Sequence, residues 1–220
     1  MTDHEFDQAL IAGAFALAAT GGWPSVSPAA AAREAGLSLD RARSRFADRA
    51  AILHRFGTQA DGLALAGSLG SGPVRERLFD VMMRRFDALQ SHRAGVLALL
   101  RHLPADPLLS VMLAADTARS MGWMLDACGV PAQGLRGMLA TQGLTAVWLY
   151  TLNAWRSDES ADLSGTMAAL DRALSRAEQA AGWTMQPAPE PGPKPFPDPE
   201  AGIETLSGTL SGAAETPPPM

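Results

Sequence analysis

The run Ser27-Pro28-Ala29-Ala30-Ala31-Ala32-Arg33-Glu34-Ala35-Gly36-Leu37-Ser38-Leu39-Asp40-Arg41-Ala42-Arg43-Ser44-Arg45-Phe46 reads as two short helices joined by a tight turn. Ser27 precedes a proline, the pairing of an N-cap with a first helical residue whose N–H needs no partner. Gly36 stands where the first helix must close on a left-handed residue, and only glycine enters that region without a Cβ penalty. Ser38 is placed to cap the second helix, and Ala31 and Ala35 are small enough to let the two helices cross closely. This spacing is that of a helix-turn-helix. Asp48 then caps a further helix that begins near Arg49.

Outward from this motif, the chain reads as helix. Alanine and leucine dominate, and before residue 187 proline occurs only at Pro24, Pro28, Pro73, Pro104, Pro107 and Pro131, each compatible with a connection or a first turn. No stretch alternates with a two-residue period in β-branched residues, so strands are not expected. Periodicity and caps predict helices over about 4–20, 28–35, 39–46, 48–66, 74–90, 92–103, 107–128, 133–156 and 159–182. The expected class is all-α: a helix-turn-helix domain over 1–47, a connecting helix over 48–66 and a C-terminal bundle over 73–185, after a Gly/Ser break at 67–72. Ten of the 16 prolines fall in 186–220, so a disordered Pro-rich tail is expected there.

The composition narrows the function classes. The single cysteine, Cys128, rules out an intramolecular disulfide and fits a reducing cytoplasm, which is the expected location. The four histidines are scattered without metal-ligand spacing, so neither metal nor cofactor is expected. No apolar run reaches the roughly 20 residues of a membrane span, and the acidic start Met1-Thr2-Asp3-His4-Glu5 lacks the basic region of a signal peptide. A net charge of −5 argues at first against nucleic acid. However, Lys194 against Glu190, Asp198, Glu200, Glu204 and Glu215 puts −4 of it in the tail. From Arg33 to Arg55, six arginines face three acids, a local +3, although Asp3, Glu5 and Asp7 cancel that excess over the first 60 residues.

Gly22-Trp23, Val26-Ser27, Ala31-Ala32, Ala35-Gly36-Leu37-Ser38, Phe46-Ala47-Asp48-Arg49 and Ile52-Leu53 resemble the DNA-binding domain of the TetR family of regulators, over roughly residues 5–60. The resemblance implies an α-helical homodimer with an N-terminal reading head and a C-terminal ligand-binding body. It also implies that Phe46 closes the recognition helix and that Arg49 lies near the phosphate backbone. The candidate contacts to double-stranded DNA are Ser27, Ser38, Leu39, Arg41, Arg43, Arg45 and Arg49; the planar arginine fork suits both phosphate and guanine edges. The chain departs from the family in carrying acids near its N-terminus and an arginine at position 43, where an aromatic is common. The other reading of the motif is a helix-turn-helix kept for structure, its arginines solvating a surface.

The body is rich in methionine and tryptophan. Phe79, Met83, Phe86, Met112, Met121, Met124 and Trp148 are the candidate lining of a pocket for a hydrophobic small molecule or lipid, because methionine adapts to flexible apolar ligands and tryptophan gives a rigid wall. Taken singly, each also fits ordinary core packing. Arg75-x-Arg77-Leu78-Phe79-Asp80, Arg119-Ser120-Met121-Gly122-Trp123 and the block Trp148, Trp155, Asp158-Glu159-Ser160-x-Asp162, with Thr166 and Leu170-Asp171, resemble the coenzyme Q (ubiquinone) biosynthesis accessory lipid-binding family. That family shares the TetR shape and binds lipid in place of operator DNA. The acid block reads as capping and first-turn charge for the last helix rather than as a catalytic pair. Helices 133–156 and 159–182 form the hairpin through which a homodimer is expected. No phosphate loop, metalloprotease helix or nucleophile elbow occurs, so no enzyme is expected. The expected function is a ligand-responsive transcriptional regulator, acting as a repressor. The alternative is a lipid-binding accessory protein of ubiquinone biosynthesis that keeps the fold without operator binding.

Overall fold

The first helix opens on a reciprocal cap: Thr2 Oγ1 accepts from the Glu5 amide while the Glu5 carboxylate accepts from the Thr2 amide. The structure, a computed structural model, describes residues 1–67 and 69–181. Among them are nine α-helices: α1 Asp3–Gly21, α2 Pro28–Glu34, α3 Leu39–Arg45, α4 Arg49–Leu65, α5 Val74–Gln90, α6 Arg93–His102, α7 Pro107–Ala127, α8 Gly134–Ser157 and α9 Ser164–Ala181. No strand occurs among the described residues. The Pro-rich segment 186–220, and the end of the last helix expected at 182, lie outside them.

The turn between α2 and α3 forms as its residues require. Gly36 has φ 65°, and the Leu37 amide reaches back to the Ala32 carbonyl at 2.7 Å. Ser27 Oγ accepts from the Ala30 amide at 3.1 Å, Asp48 Oδ1 from Ala51 at 2.9 Å, and Asp106 Oδ1 from Leu109 at 3.1 Å. Ser38 differs. It occupies the cap position of α3 but makes no side-chain capping bond. Two single 3-10 turns, Trp23–Ser25 and Leu103–Ala105, were not anticipated; each places proline second and closes with an i→i+3 bond of 3.0 Å.

The last helix starts later than expected. Residues 158–163 form a loop, and Leu163 immediately before α9 has φ 55°, the only positive value outside glycine among the described residues. A leucine offers no oxygen to cap a helix, and Asp158 does so from a distance. Its Oδ2 accepts from the Thr166 amide at 2.6 Å and the Thr166 hydroxyl at 2.7 Å, while Oδ1 accepts from the Ser160 amide at 3.1 Å. The acid block therefore anchors the helix start, as expected, but from the preceding loop instead of the first turn. These hydrogen bonds hold the Asp158 carboxyl far below the usual carboxylate range.

One core runs through the whole helical part. In the head, Phe6, Leu10, Phe15, Trp23 and Phe46 are all buried. Helix α6, from the bundle, packs on α1 so closely that a Cβ at Gly95 would stand 2.4 Å from the Phe15 carbonyl oxygen. Arg77 fastens the segment after α4, donating to the Gly72 carbonyl at 3.0 Å and the Cys128 carbonyl at 2.8 Å. Cys128 itself is buried, which pushes its thiol up to about 11.

Candidate functional site

The head presents α3 at the surface, but its arginines are mostly engaged. Arg41 donates to Asp3 at 2.6 Å and stands over the Phe6 ring at 4.6 Å. Arg45 pairs with the same Asp3 at 2.7 Å and binds the buried Asp7 through two bonds of 2.6 and 2.8 Å. This raises the Arg45 guanidinium further above its ordinary value and lowers the Asp3 carboxyl. Arg49 reaches Asp106 at the start of α7, at 2.8 Å. Arg43 is exposed and has no ion-pair partner among the described residues. Ser38, Leu39 and Ser44 share that exposed surface, and Ser27 is likewise exposed at the cap of α2.

The acids near the N-terminus thus have a structural job. Spacing of 3 and 7 on α1 faces the i, i+4 pair Arg41 and Arg45 on α3, so the carboxylates knit α3 to α1.

In the bundle, two adjoining cavities lie among α4, α5, α7 and α8. One, of about 200 Å³, is apolar and is walled by Phe56, Leu99, Leu103, Leu113, Leu152 and Trp148. The other, of about 370 Å³, is more polar and includes His54, Asp61, Asp116, Arg119 and Ser120. Leu53, Gly57, Arg85, Leu113 and Thr117 line both. Of the expected ligand residues, Trp148 lines a cavity. Phe86, Met121 and Met124 are wholly buried core, with Phe86 stacked on Trp148 at 4.4 Å. Phe79 and Met83 are half-buried against that core, and Met112 is exposed.

Arg85 is the residue that sequence reading missed. It is 6% exposed, pairs with Asp61, and holds its guanidinium 4.9 Å over the Trp148 ring. Asp61 Oδ2 also accepts from the Ser120 hydroxyl. Burial lowers Arg85 to about 10, which leaves it protonated near neutral pH. The signal was present: Leu78, Val81, Met82, Arg85, Phe86 and Leu89 fall on one helical face, and a charge in such an apolar stripe needs a buried partner.

The residues behind the lipid-family resemblance hold helices together. Arg75 pairs with Asp171, joining α5 to α9. Trp155, fully buried, donates to Gln90 Oε1 at 3.0 Å, and Arg93 lies over its ring at 4.6 Å while donating to the Asp158 carbonyl at 2.8 Å. Among the described residues no group of three or more His, Cys, Asp or Glu is placed to hold a metal ion, and no helix is long and apolar enough to cross a membrane.

No family model matches the chain, and no curated protein matches it. Among solved structures, the TetR transcriptional regulator from Nitrosomonas europaea ATCC 19718 superposes with a TM-score of 0.64. The fold is that of a TetR regulator. The match covers 80% of this chain and 99% of that one at 23% identity, so the likeness is one of architecture. In this fold the helix-turn-helix pair is α2–α3, and the cavities lie among the helices that follow it.

Proposed function

We propose that the chain is a ligand-responsive DNA-binding regulator of the TetR kind, a homodimer that represses until a hydrophobic small molecule enters the bundle. The observation that carries this reading is the position of the cavities. They lie against α4, which follows the recognition helix after Phe46-Ala47-Asp48, and against α7, which α4 grips through Arg49 and Asp106. A ligand wedged between α4 and α7 favours one setting of α4 over another, and a ligand shifts an equilibrium only by such differential contact. Because α4 carries α3, its setting fixes the spacing of two heads in a dimer, and half-sites one turn apart read that spacing. Arg43, Leu39 and Ser38 face the DNA in this reading, with Arg41, Arg45 and Arg49 at its flanks.

Enrichment of genomic fragments by the purified protein at low salt tests the proposal. A palindrome should emerge, with affinity falling steeply as salt rises. Failure to enrich any site would sink the regulator. The capture of Arg41, Arg45 and Arg49 by carboxylates of the chain favours a second reading, an apolar-ligand or lipid carrier that keeps the fold without operator binding. Under that reading native mass spectrometry finds a co-purified apolar molecule and no DNA site is enriched.

A further inference from the structure

Two arginines of the bundle are exposed and have nothing to bind. Arg101 on α6 and Arg156 on α8 line one groove of about 430 Å³ with Leu97, Asn153 and Ser157. Neither side chain has a hydrogen-bond or ion-pair partner among the described residues. Each stands in the last turn of its helix, where a cation suits the helix dipole, yet other groups meet the carbonyls there. Arg93 donates to the Arg156 carbonyl at 3.3 Å, and the Ser110 hydroxyl donates to the Leu103 carbonyl at 2.7 Å. The Ser157 hydroxyl is spent on the Ala154 carbonyl at 3.1 Å, which leaves the two arginines and the Asn153 amide as the free donors of the groove. Apolar ground adjoins them. Asn153 and Arg156 also wall a second hollow of about 420 Å³, which shares Leu100, Leu103 and Leu152 with the apolar cavity beside Trp148.

We infer that the bundle takes a single-chain anionic amphiphile, its carboxylate head on Arg101 and Arg156 and its chain laid between α6 and α8 toward Trp148, an inference that rests on the apolar cavity being the ligand site proposed above. Arg156 and Trp148 both lie on α8, about 12 Å apart along the helix axis, a length that a medium acyl chain covers. The planar arginine fork meets a carboxylate through two parallel bonds, and two forks on one groove attract it more than a single surface ion pair does. The charge stays at the exposed rim, so the carboxylate is not stripped of water, while the leucines bury the chain. A neutral chain would meet the same leucines and leave both cations unused.

Decanoate, decan-1-ol and acetate, titrated calorimetrically into the full chain at low salt, separate the chain from the head. The Trp148 indole signal in NMR reports whether the chain reaches the cavity. Decanoate should bind about tenfold more tightly than decan-1-ol, lose that advantage as salt rises, and shift the Trp148 signal. Each methylene removed from decanoate should weaken binding by up to about fourfold, and acetate should bind more than about a hundredfold more weakly. Arg101→Gln combined with Arg156→Gln should bring decanoate down to the level of decan-1-ol and leave decan-1-ol unchanged. Decan-1-ol matching decanoate on the unaltered chain overturns the anionic head while the cavity stands as an apolar site. Acetate matching decanoate overturns the amphiphile, and a double variant that keeps the tenfold preference overturns the assignment to these arginines. If no probe moves the Trp148 signal, the cavity is not a ligand site and the wider proposal fails with this one. Should the double variant not fold, the order of the three probes on the unaltered chain decides alone.

Discussion

At the scale of single residues, α3 carries three arginines of unequal standing. Arg41 and Arg45 share Asp3, and Arg45 is further held by the buried Asp7, whereas Arg43 projects without an ion-pair partner among the described residues. If α3 reads DNA, Asp3 competes with phosphate for Arg41. Asp3→Asn should therefore strengthen binding to duplex DNA at low salt and steepen its salt dependence, by about one unit in the log–log slope for each phosphate gained. Arg43→Ala should do the reverse. Electrophoretic or fluorescence titrations at several salt concentrations measure both, and an Asp3→Asn slope equal to that of the parent chain would exclude Arg41 from the interface. The sequence displayed these acids as an excess of negative charge, and no more. Their partners lie 38 residues away along the chain, and such a pairing depends on how α1 and α3 cross, which local periodicity does not encode. Arg85 was hidden in the same way: its position on an apolar face was legible, but its role depends on Asp61 and Trp148 from two other helices.

At the scale of elements, the helix starts that sequence located well are those with a local signal. Ser27-Pro28, Asp48 and Asp106-Pro107 each place an oxygen three residues before the amide it serves. The start of α9 was misplaced because its cap is not local; Asp158 reaches the Thr166 amide across eight positions, over a Leu163 with φ 55°. Asp158→Ala removes every one of these acceptors and should destabilise the chain by roughly 1–2 kcal/mol, seen as a lower urea midpoint with an unchanged slope. A second junction ties α1, α4 and α6 together. His92, just before α6, stacks on Phe15 at 5.2 Å and meets Phe56 edge-on at 5.8 Å. Burial lowers its pKa from 6.5, so the folded chain favours neutral imidazole. The unfolded chain then binds more protons than the folded one in this range. The His92 contribution is therefore fully present above about 6.5 and is lost as pH falls from there through the lower folded-state pKa. Thermal unfolding should show a melting temperature that drops between neutral pH and about pH 5, and His92→Phe should flatten that drop.

At the scale of the whole molecule, the homodimer proposed above needs a surface for its second copy to cover. Helix α8 turns Leu135, Met138, Leu139, Leu149 and Tyr150 to solvent, each at least 45% exposed, with the small Gly143 and Ala146 in the same stripe. Its neighbour α7 adds Leu108, Val111, Met112 and Trp123, also at least 45% exposed. The outer face of α9 is polar, carrying Asp171, Arg172 and Arg176. Sequence periodicity found the α8–α9 hairpin, but a helical stripe does not say which neighbour it awaits. In the proposed homodimer, two-fold pairing of α8 with its own copy would bury this apolar surface isologously. In such a pairing α8 supplies the centre, and α7 extends the apolar contact further than α9 does. Leu139→Glu places a charge in that stripe without touching the core, since the side chain is 59% exposed. The variant should run as a monomer in size-exclusion chromatography with light scattering, and its helical circular dichroism should be unchanged. It should lose most of its affinity for a palindromic site, because a single head reads only one half. A Leu139→Glu protein that stays dimeric would move the interface off this face of α8.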